Sequence, residues 1–161
     1  MKSVLDPTRF LELIGKPHDS EIVLELFKEL GIEWSDVRCI DRDIQLYIWE
    51  SYEKGLQLNF EDEGELVEKP YHDPGDGPFI LTCLTFWGGD EDFTSYSGPL
   101  PKGIKMTDDQ KTILNNAGNP DEKNEFNAWI WYGTDYRMSI AWEDSNKIRA
   151  IAYWYTPNAE R

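Results

Sequence analysis

The chain has 161 residues, with 31 acidic and 16 basic side chains and a formal net charge of −15. This negative field repels DNA, RNA and anionic membranes and attracts basic proteins, so nucleic-acid binding is excluded as a function. The length fits a single domain, residues 1–161. Neither a signal peptide nor an apolar run of about 20 residues is evident, so the expected location is the cytoplasm.

Two helices are predicted near the start of the chain. In "DPTRFLELIGKP", Asp6 fits the N-cap and Gly15 fits the left-handed position that ends a helix. The apolar face of this first helix would consist of Phe10, Leu13 and Ile14. The second, "DSEIVLELFKELG", ends at Gly31, and its inner face would consist of Ile22, Leu26 and Leu30.

Three strands follow these helices. "IQLYIWESYEKGLQLNFEDE" predicts two strands joined by a turn near Gly55, because Leu56, Leu58 and Phe60 alternate with polar residues. The apolar run "PFILTCLTFW" predicts the third strand. A helix, the second helix as an insertion and then three strands are therefore expected in the first half of the chain.

The same order of elements recurs in the second half. "TDDQKTILNNAGNP" predicts a helix capped by Thr107 and Gln110 and ended by Gly118. Its apolar face would consist of Ile113, Leu114 and Ala117. "AWIWYGTDYRMSIAWED" predicts two strands with a turn at Gly133, and "KIRAIAYWY" a third. The alternating positions of the middle strand are Tyr136, Met138, Ile140 and Trp142.

The recurrence predicts two tandem units, each a helix, a Gly-x-Pro turn and three strands. The first spans about residues 5–87, the connector 88–106, and the second about residues 107–156. The expected fold class is α+β, with a largely antiparallel sheet and the helices packed on one face.

The motifs "LIGKP", "KGLQLNF", "YSGPLPKGIKM" and "NAGNP" together resemble a family of small bacterial proteins that carry two Leu-Gly-x-Pro units. Many members look like immunity proteins of contact-dependent or other polymorphic toxin systems, which bind and block a cognate toxin, often a nuclease. The resemblance covers roughly residues 5–155 and implies that fold. It implies no catalytic residue, and it transfers no toxin-contact residue, because those vary among members.

Metal chemistry is not predicted. A calcium loop of the EF-hand type needs an acid at its third position, but loops starting at Asp62 or Asp73 have glycine there. Two cysteines and two histidines are too few for a zinc site. Cys83 lies in an apolar run, and no disulfide with Cys39 is expected in a reducing compartment.

Catalysis is not predicted either. His18 lies in a Gly-x-Pro turn and His72 in a loop, and each precedes an aspartate without further ligands. No nucleophile motif, phosphate-binding glycine loop or dinucleotide fingerprint is present. We therefore predict no catalytic residue, metal or cofactor.

Partner binding is the remaining prediction, and it depends on acidic clusters. "EDEGELVEKPYHDPGDG", residues 61–77, has seven carboxylates against one lysine, and residues 90–92 add three more. Acids that steer a basic protein, with aromatic side chains as anchors, are typical of tight inhibitor interfaces. The predicted partner-binding residues are Glu61, Asp62, Glu63, Glu65, Glu68, Tyr71, Asp73, Asp76, Trp87, Asp90, Glu91, Asp92, Phe93 and Tyr96.

Three functions follow from these features. The first is an immunity protein that neutralises a basic toxin domain, such as a nuclease, through an acidic surface or an exposed strand edge. The second is an acidic interaction module of a cellular regulatory complex. The third is a small carboxylate-dependent hydrolase, since 31 acids allow many pairs.

Overall fold

The structure, a computed structural model, describes residues 3–66, 73–144 and 146–157. Its helices are α1 (Glu21–Leu30), α2 (Glu63–Leu66) and α3 (Gln110–Ala117), with 3₁₀ turns at Phe10–Leu13, Trp34–Asp36 and Pro101–Gly103. Its strands are β1 (Arg38–Asp41), β2 (Leu46–Ser51), β3 (Leu56–Asp62), β4 (Phe79–Trp87), β5 (Glu122–Lys123), β6 (Ala128–Tyr132), β7 (Tyr136–Asp144) and β8 (Lys147–Tyr155). Over the described ranges, no helix has both the length and the apolar character needed to cross a bilayer.

One antiparallel sheet contains all eight strands, in the order β1-β2-β3-β4-β8-β7-β6-β5. The α+β class with an antiparallel sheet is thus confirmed. From each edge inward the strands follow chain order, β1 to β4 from one edge and β5 to β8 from the other. Each half of the sheet is therefore a meander, and the last strands of the two meanders, β4 and β8, pair at the centre.

The core lies on one face of the sheet. Leu58 pairs with Leu84, Leu84 with Tyr153, and Tyr153 with Met138, so one row of buried side chains crosses four strands. The buried residues of α1 and α3 belong to the same cluster, which places both helices on this face. These helix residues are Val23, Leu26, Phe27 and Ile113. The opposite face presents the alternate strand positions.

The six predicted strands are present with the expected inward positions. Leu56, Leu58 and Phe60 are buried, as are Met138 and Ile140. Strands β1 and β5 were not expected. They are four and two residues long and fully exposed, so they lack the alternation that identifies a half-buried strand.

Two of the three predicted helices begin later than expected. The helix predicted from Asp6 is only the 3₁₀ turn Phe10–Leu13, because the Asp6 carboxylate accepts hydrogen bonds from the Thr8 amide and hydroxyl and forms a separate turn. Helix α3 begins later, since Asp109 is its N-cap and accepts a hydrogen bond from the Thr112 amide at 2.8 Å.

The buried face of α1 is also rotated from the prediction. Val23, Leu26 and Phe27 are buried, whereas Ile22 and Leu30 are half-buried. Positions 22 and 30 lie beside the buried stripe, on either side of Leu26, because residues four apart drift around a helix of 3.6 residues per turn. The predicted stop at Gly31 is confirmed by its φ of 68°.

The connector 88–106 packs onto the domain. Leu100 and Ile104 are part of the core, and the Thr94 amide donates to the Tyr52 carbonyl at 2.7 Å. A Cβ at Gly55 would lie 2.2 Å from the Thr94 carbonyl oxygen, so the close approach of the connector to the β2–β3 turn requires glycine there.

Candidate functional site

The first acidic cluster lies where three strand ends meet. In the antiparallel sheet, Leu46 at the start of β2 pairs with Glu61, and Asp62 at the end of β3 pairs with Phe79 at the start of β4. The β1–β2 turn, residues 42–45, is therefore a neighbour of the β3–β4 connection, residues 63–78. This proximity is not evident from the sequence.

A buried aspartate fixes the β3–β4 connection. Asp62 has no exposed surface. Its Oδ1 accepts a hydrogen bond from the Gly64 amide at 3.0 Å, and its Oδ2 accepts one from the Gly75 amide at 2.7 Å. The two bonds hold the beginning and the end of the connection together. Asp62 thus organises the loop and adds to the surface only through its charge.

The β1–β2 turn packs against this loop. Gln45, with a φ of 52°, donates from Nε2 to the Arg42 carbonyl at 2.6 Å and accepts from the Tyr47 hydroxyl at 3.0 Å. A Cβ at Gly75 would lie 3.0 Å from the Gln45 Oε1 atom. The exposed carboxylates of Asp41 and Asp43 are thereby held beside the loop.

We call this surface the acidic end. Its described residues, in the segments 41–45, 61–66 and 73–78, include eight acids and one base, Arg42. Five of the acids are exposed, namely Asp41, Asp43, Glu65, Asp73 and Asp76, and the others are Glu61, Asp62 and Glu63. The predicted residues Glu68 and Tyr71 lie outside the described residues. A basic protein would meet a dense negative potential at this end of the sheet.

The second acidic cluster forms a compact turn after β4. The Asp90 carboxylate accepts hydrogen bonds from the amides of Asp92 and Phe93, at 2.8 Å and 2.7 Å. The Phe93 and Asp92 amides lower the pKa of Asp90, because they stabilise its ionised form. Glu91 and Asp92 are exposed. Asp90 is exposed as well, so it shapes the turn and also presents charge to solvent with Glu91 and Asp92.

The aromatic residues near this turn pack against the molecule itself. Phe93 is buried and stacks on Trp87 with the ring centroids 4.6 Å apart. Tyr96 packs on Phe86 at 4.5 Å, and Phe93 also contacts Tyr52 at 4.7 Å. These predicted anchors fix the turn and the connector, and only part of the Trp87 and Tyr96 surfaces is accessible.

The two acidic clusters lie at opposite ends of β4. The nine residues of this strand separate them by about 27 Å, at about 3.3 Å per residue. The second cluster instead adjoins the β7–β8 turn, where Glu143 and Lys147 form an ion pair at 2.9 Å. Asp90, Glu91 and both members of this pair line one shallow depression. A single partner must span the length of the sheet to touch both clusters.

Sequence reasoning missed the acids that neighbouring turns contribute. Asp41 and Asp43 join the first cluster, and Glu143 and Asp144 lie near the second. The predicted β7–β8 hairpin indicates that Glu143 and Asp144 lie close to one turn. Only the strand order places that turn beside the end of β4.

His18, the histidine of the first Gly-x-Pro turn, has a packing role in the structure. Its Nδ1 accepts a hydrogen bond from the Phe79 amide at 3.1 Å, and its ring packs on Trp34 with the centroids 4.4 Å apart. Both cysteines are free thiols, and burial raises the pKa of the Cys83 thiol to about 11. Among residues 3–66, 73–144 and 146–157, no three His, Cys, Asp or Glu side chains are grouped so as to hold a metal ion.

Comparison of the chain with family models, curated proteins and solved structures gives no match. The acidic end combines eight acids with one base among its described residues.

Proposed function

We propose that this protein is a bacterial immunity protein that binds a basic toxin domain and inhibits it stoichiometrically. The observation that carries the proposal is the acidic end, where eight acids and one base meet at three strand ends. A nuclease domain is the favoured partner, because its cleft must be basic to hold phosphates. The acidic end would occupy that cleft in place of nucleic acid.

The geometry of the acidic end suits such an inhibitor. Asp62 ties the loop at Gly64 and Gly75, so the exposed Asp73 and Asp76 lie on a segment that is fixed before binding. A fixed loop loses little conformational entropy when a partner binds. Exposed carboxylates of one sign also speed diffusional encounter with a basic protein.

We also propose that the fold consists of two copies of one helix–three-strand unit. The mirrored strand order supports this, because β2-β3-β4 and β6-β7-β8 are equivalent meanders. Both units contain a Gly-x-Pro motif whose glycine has a positive φ, Gly15 at 85° and Gly118 at 78°. This architecture agrees with the resemblance to two-unit immunity proteins.

An immunity protein protects the cell that makes it, so the proposed location is the cytoplasm of a bacterium. The test is co-expression with the toxin domain encoded beside this gene. We expect growth to be rescued and the two proteins to co-purify in a fixed ratio. A regulatory module would bind without protecting the cell, and a hydrolase would show turnover that one carboxylate substitution abolishes.

Salt dependence provides a second test. The association rate with the toxin domain should fall by about tenfold or more between low and high ionic strength, because electrostatic steering is screened. A rate that does not change with salt would contradict the role assigned to the acidic end.

A further inference from the structure

The face of the sheet opposite the helices, which we call the open face, carries a row of large side chains. Tyr132 pairs with Arg137, and Arg137 pairs with Trp154, across strands β6, β7 and β8. Directly opposed residues of an antiparallel pair project to the same face. Tyr153 is in the core, so its neighbour Trp154 projects to the opposite face with this row.

This row is exposed and chemically suited to a protein interface. Trp154 is 48% exposed and Tyr132 is 46% exposed. The Arg137 guanidinium carbon lies 4.3 Å from the centre of the Tyr132 ring, while the buried Nε of Arg137 has no hydrogen-bond partner among the described residues. Trp, Tyr and Arg are the residues most enriched at the energetic centres of interfaces.

Small side chains lie next to this row on the same face. Thr85, Ala152 and Ser139 form the adjacent cross-strand row, and Ala150 pairs with Ala141 in the next one. Thr85, Ser139 and Ala150 are buried and Ala152 is half-buried, and the same two rows continue into the larger Ile130 and Trp87.

Acids border this face on several sides. Phe60 is in the core, so Glu61 of the acidic end projects to the open face. On the far side, the Glu122 carboxylate accepts a hydrogen bond from the Tyr132 hydroxyl at 2.9 Å. At the other end of the sheet lie Glu91 and Glu143. Glu143 is paired with Lys147 and Arg137 lies in the row itself, so the acids that would complement a basic protein are chiefly Glu61, Glu91 and Glu122.

We infer that the open face anchors the basic toxin domain, with Trp154 and Tyr132 as the main contacts. The inference rests on the proposed function and extends it: the acidic loops speed encounter, and the Tyr132–Arg137–Trp154 row slows dissociation. The anchoring residues thus belong to the second half of the chain, whereas the steering charges belong mainly to the first.

The experiment measures binding kinetics with a catalytically inactivated form of the toxin domain encoded beside this gene. Trp154→Ser and Tyr132→Ser should each raise the dissociation rate by about 30-fold or more, the usual effect of truncating an interface anchor. Their association rates should stay within about twofold of the wild type, since no charge changes. Phe126→Ser is the matched control, because Phe126 is 73% exposed in the β5–β6 turn and lies outside the face.

A second substitution protects the test against loss of folding. Ala152→Lys places a positive charge on the same face beside Trp154, should weaken binding by about tenfold or more, and does not change a core residue. Urea unfolding verifies that each variant is folded. If the wild type neither binds nor protects, the proposed function fails. If the wild type binds and the face variants behave like Phe126→Ser, the immunity proposal stands and the open face is not the interface.

Discussion

Strands β3 and β7 are the middle strands of the two meanders, and they end in the same local turn but are followed by different connections. Each ends in an aspartate whose Oδ1 accepts the amide hydrogen bond two residues later, Asp62 from Gly64 at 3.0 Å and Asp144 from Asn146 at 2.9 Å. After Asp144 the chain turns at once into β8, whereas after Asp62 it runs through residues 63–78 before β4. The same local turn thus closes a short hairpin in one half and starts a long acidic connection in the other.

The surroundings of the two aspartates explain the difference. Asp144 is exposed, so water can replace its hydrogen bond. Asp62 is fully buried and holds Gly75 as well as Gly64. The described acids of the long connection, Glu63, Glu65, Asp73 and Asp76, lie outside the core, and one buried carboxylate ties the connection to the sheet. The β7–β8 hairpin shows that two neighbouring strands of this sheet can be joined by a short turn, so the long acidic connection between β3 and β4 is not needed to form the sheet.

The largest predicted effect is on stability. Asp62→Ala leaves two amides without their charged acceptor and should lower the free energy of unfolding by about 2–3 kcal/mol. Asp144→Ala should lower it by less than about 0.5 kcal/mol, because its hydrogen bond is exposed. Urea unfolding of both variants measures the difference. Equal losses would show that the two strand ends are energetically alike.

A smaller effect is expected from the far end of the same loop. Gly75 has a φ of 88°, and a Cβ there would lie 3.0 Å from the Gln45 Oε1 atom. Gly75→Ala should therefore destabilise the protein by about 1–2 kcal/mol. Asn146→Ala in the short turn should stay within about 0.5 kcal/mol of the wild type. Chemical denaturation checks both values, and a neutral Gly75→Ala would mean that the loop relaxes without cost.

Much of the sheet could be predicted from the sequence because alternation is a local signal. Leu56, Leu58 and Phe60 show it clearly, and turns at Gly55 and Gly133 separate the strands as expected. Strand order depends on contacts distant in sequence, such as Cys83 with Trp154, and no local pattern encodes them. Strands β1 and β5 are short edge strands with no buried side, so they leave no periodic signal.

The sequence predicts which acids of the β3–β4 connection belong to the candidate site, but it does not predict which other residues lie beside them. The acids of residues 61–77 are a local charge excess that the sequence shows directly. The addition of Asp41 and Asp43 follows from the register of Leu46 with Glu61, which is a tertiary property. The burial of Asp62 likewise depends on the return of the chain to Gly75.

A further prediction compares the two connections as binding surfaces. Asp73→Ser with Asp76→Ser, and Glu143→Ser with Asp144→Ser, each remove two exposed negative charges from the protein. The first pair should slow association with the toxin domain by about fivefold at low salt, and the second by less than about twofold. Stopped-flow or surface-binding kinetics provides both rates. Equal slowing would assign steering to net charge and not to the acidic end.

The smallest predicted effect concerns Asp90, in the turn beside the β7–β8 hairpin. Its pKa in the folded protein is lowered by the Phe93 and Asp92 amides. A lowered pKa means that the stabilisation is complete above the ordinary value, about 3.9, and is lost as the pH falls through the folded value. The Phe93 amide resonance should therefore titrate with a midpoint below about 3.9 in NMR spectra. Asp90→Asn should abolish this transition, and a midpoint at or above the ordinary value would show that the turn is open in solution.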